Sequence, residues 1–329
     1  MKTIVSGIKP SGKLHLGNYL GAVKQFFELQ KKHTCYFFIA DLHSLTETYD
    51  PKEKADEIFN LAVDLLALGL DPKKCVFFVQ SRVPQCLQLA WIFSCLTPVS
   101  FLERMTQYKD FISRREQTPN AGLLTYPILQ AADILLYHGN LVPVGKDQLQ
   151  HLELTNDIVK FFNNKFNSGK NEYFAPIKPL LTQTPKIMSL TEPEKKMSKS
   201  LGPKSYIALR DEPEIIFEKI KKAPTGTGQE ASPPPGALNL LELFKQFGSP
   251  KQVKYFEDAM KNKTIQYGKL KESLAKAIAE SFAPFRKNYK KLEQNRGYVK
   301  KVLKQGQEKA SKAAEKTLTE VKKIVGLAQ

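Results

Sequence analysis

Four short apolar runs, Ile4 to Ile8, Cys35 to Ala40, Val76 to Gln80 and Leu141 to Val144, constrain this chain most, because amphipathic stretches separate them. Each run is apolar almost throughout rather than alternating, the pattern of strands covered on both faces. Between them the spacing predicts helices up to Lys32, from Pro51 to Leu68, through Tyr108, from Gly122 to Tyr137 and from Asp147 to Asn163. Strands that alternate with helices are joined by crossovers, so the expected fold is α/β with a parallel sheet. Ligands of open parallel sheets gather at the carboxyl ends of the strands. The turns Lys9 to Gly12, Asp41 to Ser44 and Gly145 to Gln148 are therefore expected to converge on one pocket.

After residue 205 the rhythm changes. A helix from Glu212 to Lys222 precedes two stretches, Ala223 to Gly228 and Ser232 to Gly236, whose prolines and glycines interrupt helix. Beyond them Leu238 to Phe247, Lys251 to Lys261, Lys269 to Glu293 and Gly297 to Val325 all carry helical period. We therefore expect two domains, an α/β one over 1–205 and an all-helical one over 206–329. The net charge is +17, and residues 251 to 329 hold 20 Lys and Arg against 8 Asp and Glu. Such a charge alone reads as a solvated lysine-rich face; beside a nucleotide site it points to a nucleic-acid partner. No run of about 18 apolar residues and no basic leader followed by an apolar segment is seen, so a cytoplasmic location is expected. Cys35, Cys75, Cys86 and Cys95 form no CxxC pair and have no histidine ligands nearby, so buried, reduced thiols are expected, with no metal residues.

Two stretches carry the chemistry. Lys196-Met197-Ser198-Lys199-Ser200 places two lysines three residues apart among small and flexible residues, without strand or helix period. Such a loop suits closing over a polyphosphate. At the other end, the first apolar run turns at Pro10-Ser11-Gly12 into a helix beginning near His15-Leu16-Gly17-Asn18. A strand-turn-helix junction offers backbone donors and a helix N-terminus to phosphates. His15 and Asn18 stand at i and i+3 on one face, and Gly17 removes a side chain that would block a close approach. Taken by itself, His15 is as readily an ordinary helix-capping residue. Together the two stretches predict an ATP site. Displacing pyrophosphate needs in-line positioning and charge neutralisation more than a dedicated acid or base, and lysines and backbone amides supply both.

With these residues in view the chain resembles a known family. Pro10 to Asn18 and Lys196 to Ser200 are similar to the HIGH and KMSKS motifs of class I aminoacyl-tRNA synthetases. Gly122 to Tyr137 and Val142 to Thr155 closely resemble the bacterial-type tryptophanyl-tRNA synthetases, as do Ser6 to Ile8, Ala40 to His43 and Leu102 to Gln107. The resemblance is specific from residue 3 to about 210 and more diffuse beyond. It implies a Rossmann-like catalytic domain and a helical domain that recognises the tRNA anticodon. It further implies activation of L-tryptophan by ATP, with Mg2+ on the phosphates, and transfer to tRNA(Trp). Lys196, Lys199, His15 and Asn18 match its catalytic residues. Lys9, Pro10, Ser11, Gly17, Asn18, Gly145, Lys146, Asp147, Ile187 and Lys196, Met197, Ser198, Lys199 and Ser200 match its ATP site. Asp133 matches the carboxylate that accepts the indole N–H, and Tyr126, Gln107, Gln148 and His43 match the rest of the tryptophan pocket.

Departures are few. Lys9 stands where many bacterial members have Gln, and Lys146 where Glu is common. Phe111 occupies the place of a second phosphate-directed lysine seen in some members, for which Arg114 or Arg115 is the candidate substitute. The iron-sulfur spacing of some tryptophanyl enzymes is missing. Trp91 lies in an apolar helix, Pro84 to Leu96, that reads as core by composition and as a symmetric dimer contact by resemblance. A tyrosyl-tRNA synthetase, a small-molecule nucleotidyltransferase and a non-catalytic RNA-binding relative remain the alternatives.

Overall fold

The structure, a computed structural model, describes residues 1–114, 118–166, 172–181, 186–226 and 232–327. Five strands, β1 (Thr3–Ile8), β2 (Thr34–Ile39), β3 (Val76–Val79), β4 (Leu141–Val144) and β5 (Lys178–Leu181), form one parallel sheet in the order β3-β2-β1-β4-β5. The four apolar runs are the first four strands. β5 had no such signature, because its four residues include Lys178 and Pro179 and stay largely exposed at the sheet edge. A proline that cannot donate to a ladder is tolerated there.

The chain divides into two compact units. One comprises Met1–Gly12, Gln25–Thr182 and Asn295–Gln329, and the other Lys13–Lys24 and Gln183–Gln294. This partition differs from a cut at 205/206 in three ways, the first being that the residues from 186 to 205, Lys196 to Ser200 among them, fall in the second unit. The segment around His15 joins the later residues because Leu16 N donates to Ile207 O at 3.0 Å and Leu209 N to Leu14 O at 2.9 Å. The last helix, Arg296–Ile324, returns to the sheet-bearing unit.

In the sheet-bearing unit β1 and β2 pair from Thr3 opposite Thr34 to Ile8 opposite Ile39. The helices Gln85–Ser94, Ala121–Leu135 and Leu149–Phe166 bury Leu89, Phe93, Ile128, Ile158 and Phe162 with Phe38 and Phe78 in one core. At about 1.5–3 kcal/mol for each large apolar side chain buried, this core is the main stabilising term. The helix Arg296–Ile324 adds Ala310, Ala314, Leu318 and Val321 to it. That helix approaches β3 so closely that a Cβ on Gly306 would lie 1.7 Å from the Phe77 carbonyl oxygen.

The second unit is built on the helices Pro213–Lys221, Pro235–Phe247, Pro250–Lys261, Tyr267–Ser281 and Ala283–Gln294. The single helix expected over Lys269 to Glu293 is broken at Phe282 (φ −100°, ψ 5°). Pro284, which has no N–H to bond back to the Glu280 carbonyl and suits the first turn of the helix that starts at Ala283, accounts for the break. The helix expected to start at Leu238 begins at Pro235, where proline suits a first turn. No helix of the described residues is long and apolar enough to cross a membrane. Cys35, Cys75 and Cys86 are buried, and burial pushes the Cys35 and Cys75 thiols up to about 12. Cys95, expected to be buried, is exposed instead, since it follows the last turn of its helix on the solvent side.

Alanine usually gains about 1 kcal/mol over glycine inside a helix. Gly306→Ala is expected to reverse that sign and destabilise by about 2 kcal/mol or more, because the added methyl meets backbone. Gly297→Ala in the same helix meets nothing within 4 Å and should be neutral or stabilising. Urea denaturation of the two variants reads the contrast.

Candidate active site

The strands of the first unit all run the same way, so the turns after β1, β2 and β4 lie at one end of the sheet. Lys9, His43 and Asp147, one from each turn, all act electrostatically on a single buried ring, that of His151. The expected convergence is therefore present. At its base Asp133 is 4% exposed, and its Oδ2 accepts from His43 Nε2 at 2.8 Å and from Gln80 Nε2 at 2.7 Å. Burial raises the Asp133 carboxyl above its ordinary range, and the two hydrogen bonds oppose that rise. Among the described residues both bonds fall on Oδ2, which leaves Oδ1 for a further donor.

Beside this pair stands a second cluster. The Tyr126 hydroxyl lies 2.5 Å from Gln107 Oε1 and 2.7 Å from His151 Nε2, and its ring meets His43 edge-on at 6.2 Å. Burial pushes the Tyr126 hydroxyl up to about 12. Four of the five residues expected for the amino-acid pocket are thus linked in a chain of contacts, from Asp133 to His43, Tyr126 and Gln107. The fifth, Gln148, sits in the turn itself, its Nε2 donating to Asp147 Oδ2 at 3.2 Å. Gln80 and His151 were missed. Gln80 closes the apolar run Val76 to Gln80 at the ligand end of the sheet, and nothing in its own type singles it out.

Around this end, Lys9 pairs with Glu47, and the Pro10 carbonyl accepts from Lys54 Nζ at 3.2 Å. Ser11 is exposed. Gly145 opens a short turn, Lys146–Gln148, closed by Gln148 N donating to Gly145 O at 3.0 Å. Arg115 lies outside the described residues, as does the Arg114 side chain.

The remaining residues expected for ATP belong to the second unit. His15 caps the short helix Leu16–Asn18: its Nδ1 accepts from Gly17 N at 3.1 Å, while Asn18 Oδ1 accepts from His15 N at 3.3 Å. A Cβ on Gly17 would press to within 2.9 Å of that ring, so glycine is needed for the ring to approach, while Met197 Cβ at 3.7 Å would be an ordinary contact. Capping and chemistry are not alternatives here. Because Nδ1 accepts, the neutral ring carries its proton on Nε2, which can donate to an anion. Burial first, then Lys199 and Lys196, lower His15 to about 4, so the ring is neutral at pH 7.

The two lysines therefore act on the histidine electrostatically, which brings the HIGH-like and KMSKS-like stretches together. The lysine loop is anchored rather than free. Met197 N donates to Ile187 O at 2.9 Å, Met188 bridges Lys196, and the Ser205 hydroxyl donates to Ser198 O at 2.8 Å. Met197 is buried, whereas Lys196 is exposed and Ser198 and Ser200 share a 2.9 Å hydroxyl contact. The buried Met197 fixes the turn between an exposed Lys196 and a half-buried Lys199.

A histidine lowered from 6.5 to about 4 by folding stabilises above its unfolded value and withdraws that contribution as pH falls toward 4. His15→Asn keeps a good cap without the titration. The melting temperature of this variant should fall less steeply between pH 6.5 and 4 than that of the parent chain. Equal slopes would contradict the assigned environment.

Comparison with known proteins agrees with this geometry. Residues 1–283 match the model of the tRNA synthetases class I (W and Y). A tryptophan–tRNA ligase of Bacillus anthracis is 45% identical over 100% of this chain and 99% of its own length. One from Caldanaerobacter subterraneus is 43% identical over 99% of each. Among solved structures, a tryptophanyl-tRNA synthetase from Campylobacter jejuni, complexed with ADP and tryptophan, superposes with a TM-score of 0.85 at 31% identity, covering 99% of this chain and 100% of that one. With a family match over most of the chain and full-length relatives above 40% identity, this chain belongs to the class I aminoacyl-tRNA synthetases of the tryptophan and tyrosine group.

Proposed function

We propose that the chain works as a tryptophan–tRNA ligase through the residues assembled above. L-Tryptophan and ATP give tryptophanyl-adenylate and pyrophosphate, and the amino acid then passes to the 3′-terminal adenosine of tRNA(Trp). The observation that carries the choice of amino acid is the buried Asp133, whose Oδ2 is already engaged. An indole N–H is donor only and satisfies Oδ1, while a phenyl ring would leave that oxygen unpaired in a buried site. Tyr126, Gln107 and Gln148 present oxygens suited to the substrate's ammonium, and His43 closes the indole side.

In the adenylation step the tryptophan carboxylate attacks the α-phosphorus and the bond to pyrophosphate breaks. Negative charge grows on the departing phosphates. The Nε2–H of His15, the Asn18 amide, and the ammonium groups of Lys196 and Lys199 neutralise it, while Met197, Ser198 and Ser200 shape the lysine turn. Lys9, Pro10, Ser11, Gly17, Gly145, Lys146, Asp147 and Ile187 are assigned to the rest of the nucleotide. Among the described residues no group of three or more His, Cys, Asp or Glu side chains is placed to cage a metal ion. Mg2+, which the family resemblance implies, would arrive on the ATP phosphates and supply charge neutralisation there.

The lysine-rich helices of 206–329 are assigned to the tRNA anticodon arm, where phosphate contacts give affinity and a few side chains read bases. A reaction that consumes ATP and tRNA is placed in the cytoplasm. A homodimer is supported by the helix Gln85–Ser94, on which Trp91 is 71% and Leu87 49% exposed one turn apart. Composition alone suggested a core position for Trp91, which the structure does not give it. Large apolar groups exposed side by side mark a contact surface.

Tryptophan, and not tyrosine, should drive exchange of labelled pyrophosphate into ATP. Tyrosine-driven exchange would remove the role of Asp133 and favour the tyrosyl reading. Lys196→Ala should slow the exchange by about 100-fold or more, whereas unchanged exchange would reject the clamp. Trp91→Glu should halve the mass seen by light scattering with little change in melting temperature, and a parent chain already monomeric would reject the dimer.

A further inference from the structure

His151 lies outside the residues assigned above. It is 1% exposed, lies on the helix Leu149–Phe166 three residues after Gln148, and has been given no task so far. Its Nε2 is 2.7 Å from the Tyr126 oxygen, while its Nδ1 is buried with no hydrogen-bond partner among the described residues. The same Tyr126 oxygen is 2.5 Å from Gln107 Oε1. These three facts decide the direction of the chain of hydrogen bonds. Gln107 Oε1 only accepts, so the single Tyr126 hydroxyl proton goes to it. Two acceptors cannot share a 2.7 Å contact, so His151 Nε2 must be the protonated nitrogen and must donate to the Tyr126 oxygen. The cost is a bare Nδ1 lone pair in the interior. A buried group left unpaired in this way costs stability and calls for an explanation.

We propose that His151 is a positioning residue for the amino group of the substrate. Its Nε2–H fixes the Tyr126 hydroxyl proton toward Gln107 and so turns the remaining lone pair of the Tyr126 oxygen outward as an acceptor for the ammonium. With the opposite tautomer Tyr126 would donate to His151, and the Gln107 amide would have to turn over to meet it. The orientation of the whole acceptor set would then be undefined. Burial also matters, because a protonated ring beside an ammonium would repel it. Desolvation is the largest influence on His151 and holds it at about 4, with His43 and Lys9 acting in the same direction and Asp147 against. The ring is a neutral donor throughout the physiological range.

The inference rests on the reading of Tyr126 and Gln107 as the ammonium pocket, and its test separates the two. The probes are L-tryptophan and indole-3-propionate, which keeps the indole and carboxylate but lacks the amino group. Their dissociation constants are measured on the full-length chain and on His151→Gln and His151→Met, two side chains of equal length of which only the first carries an N–H. His151→Met should weaken tryptophan by about 10- to 100-fold, the loss of one charge-assisted contact. It should change indole-3-propionate by less than about twofold, and His151→Gln should recover most of the loss. Equal weakening of both ligands by His151→Met, or no weakening of tryptophan, overturns the proposal. If the parent chain itself fails to prefer tryptophan over indole-3-propionate, the ammonium pocket is misassigned and the proposal falls with it. Should the methionine variant not fold, nitrogen-15 spectra of the ring in the tryptophan-bound parent chain decide. A proton on Nε2 supports the proposal, and a proton on Nδ1 overturns it.

Discussion

The ligand end of the sheet is organised around one buried carboxylate. Asp133 is held by two donors on the same oxygen, His43 and Gln80, in a place where burial disfavours its charge. A group so placed is costly unless its remaining hydrogen-bonding capacity is used. The fold supplies the partners from different elements: Gln80 from the end of β3, His43 from the turn after β2, and Asp133 itself from the helix Ala121–Leu135. Asp41 ties the same strand ends together, its Oδ1 accepting from Ser81 N at 2.9 Å and Leu42 N at 3.1 Å. Asp133 and its two partners are thus held by elements packed on the sheet.

His15 gives the second constraint. One ring serves as helix cap, as neighbour to two lysines and as a neutral donor, and these roles reinforce one another. The cap occupies Nδ1, which fixes the tautomer; burial, and after it the lysines, keeps the ring neutral, which preserves Nε2–H as a donor; and Gly17 leaves the room the ring needs.

Much of this was legible in the sequence, for identifiable reasons. Strands buried on both faces announce themselves as apolar runs, so β1 to β4 and the turns behind them could be located, and with them the end of the sheet where Lys9, His43 and Asp147 meet. The edge strand β5 could not, since its pairing depends on β4 and not on its own composition. The return of Arg296–Ile324 to β3 is likewise a tertiary event: its helical period was plain, but Gly306 gives no hint from sequence that it faces Phe77. The break at Phe282 was written in Pro284 and passed over. Gln80 and His151 escaped because a buried glutamine or histidine acquires meaning only from its neighbour, Asp133 in one case and Tyr126 in the other.

The central claim is that the Asp133 carboxylate recognises the indole N–H, and a chemical double-mutant cycle tests it most directly. The affinities of L-tryptophan and of 3-(1-benzothiophen-3-yl)-L-alanine, which replaces the N–H by sulfur, are measured for the parent chain and for Asp133→Ala. The account predicts a preference for tryptophan of about 100-fold in the parent chain that collapses to within a few-fold in the variant. The same preference in both proteins would show that the N–H is read elsewhere, or not at all, and would contradict the assignment.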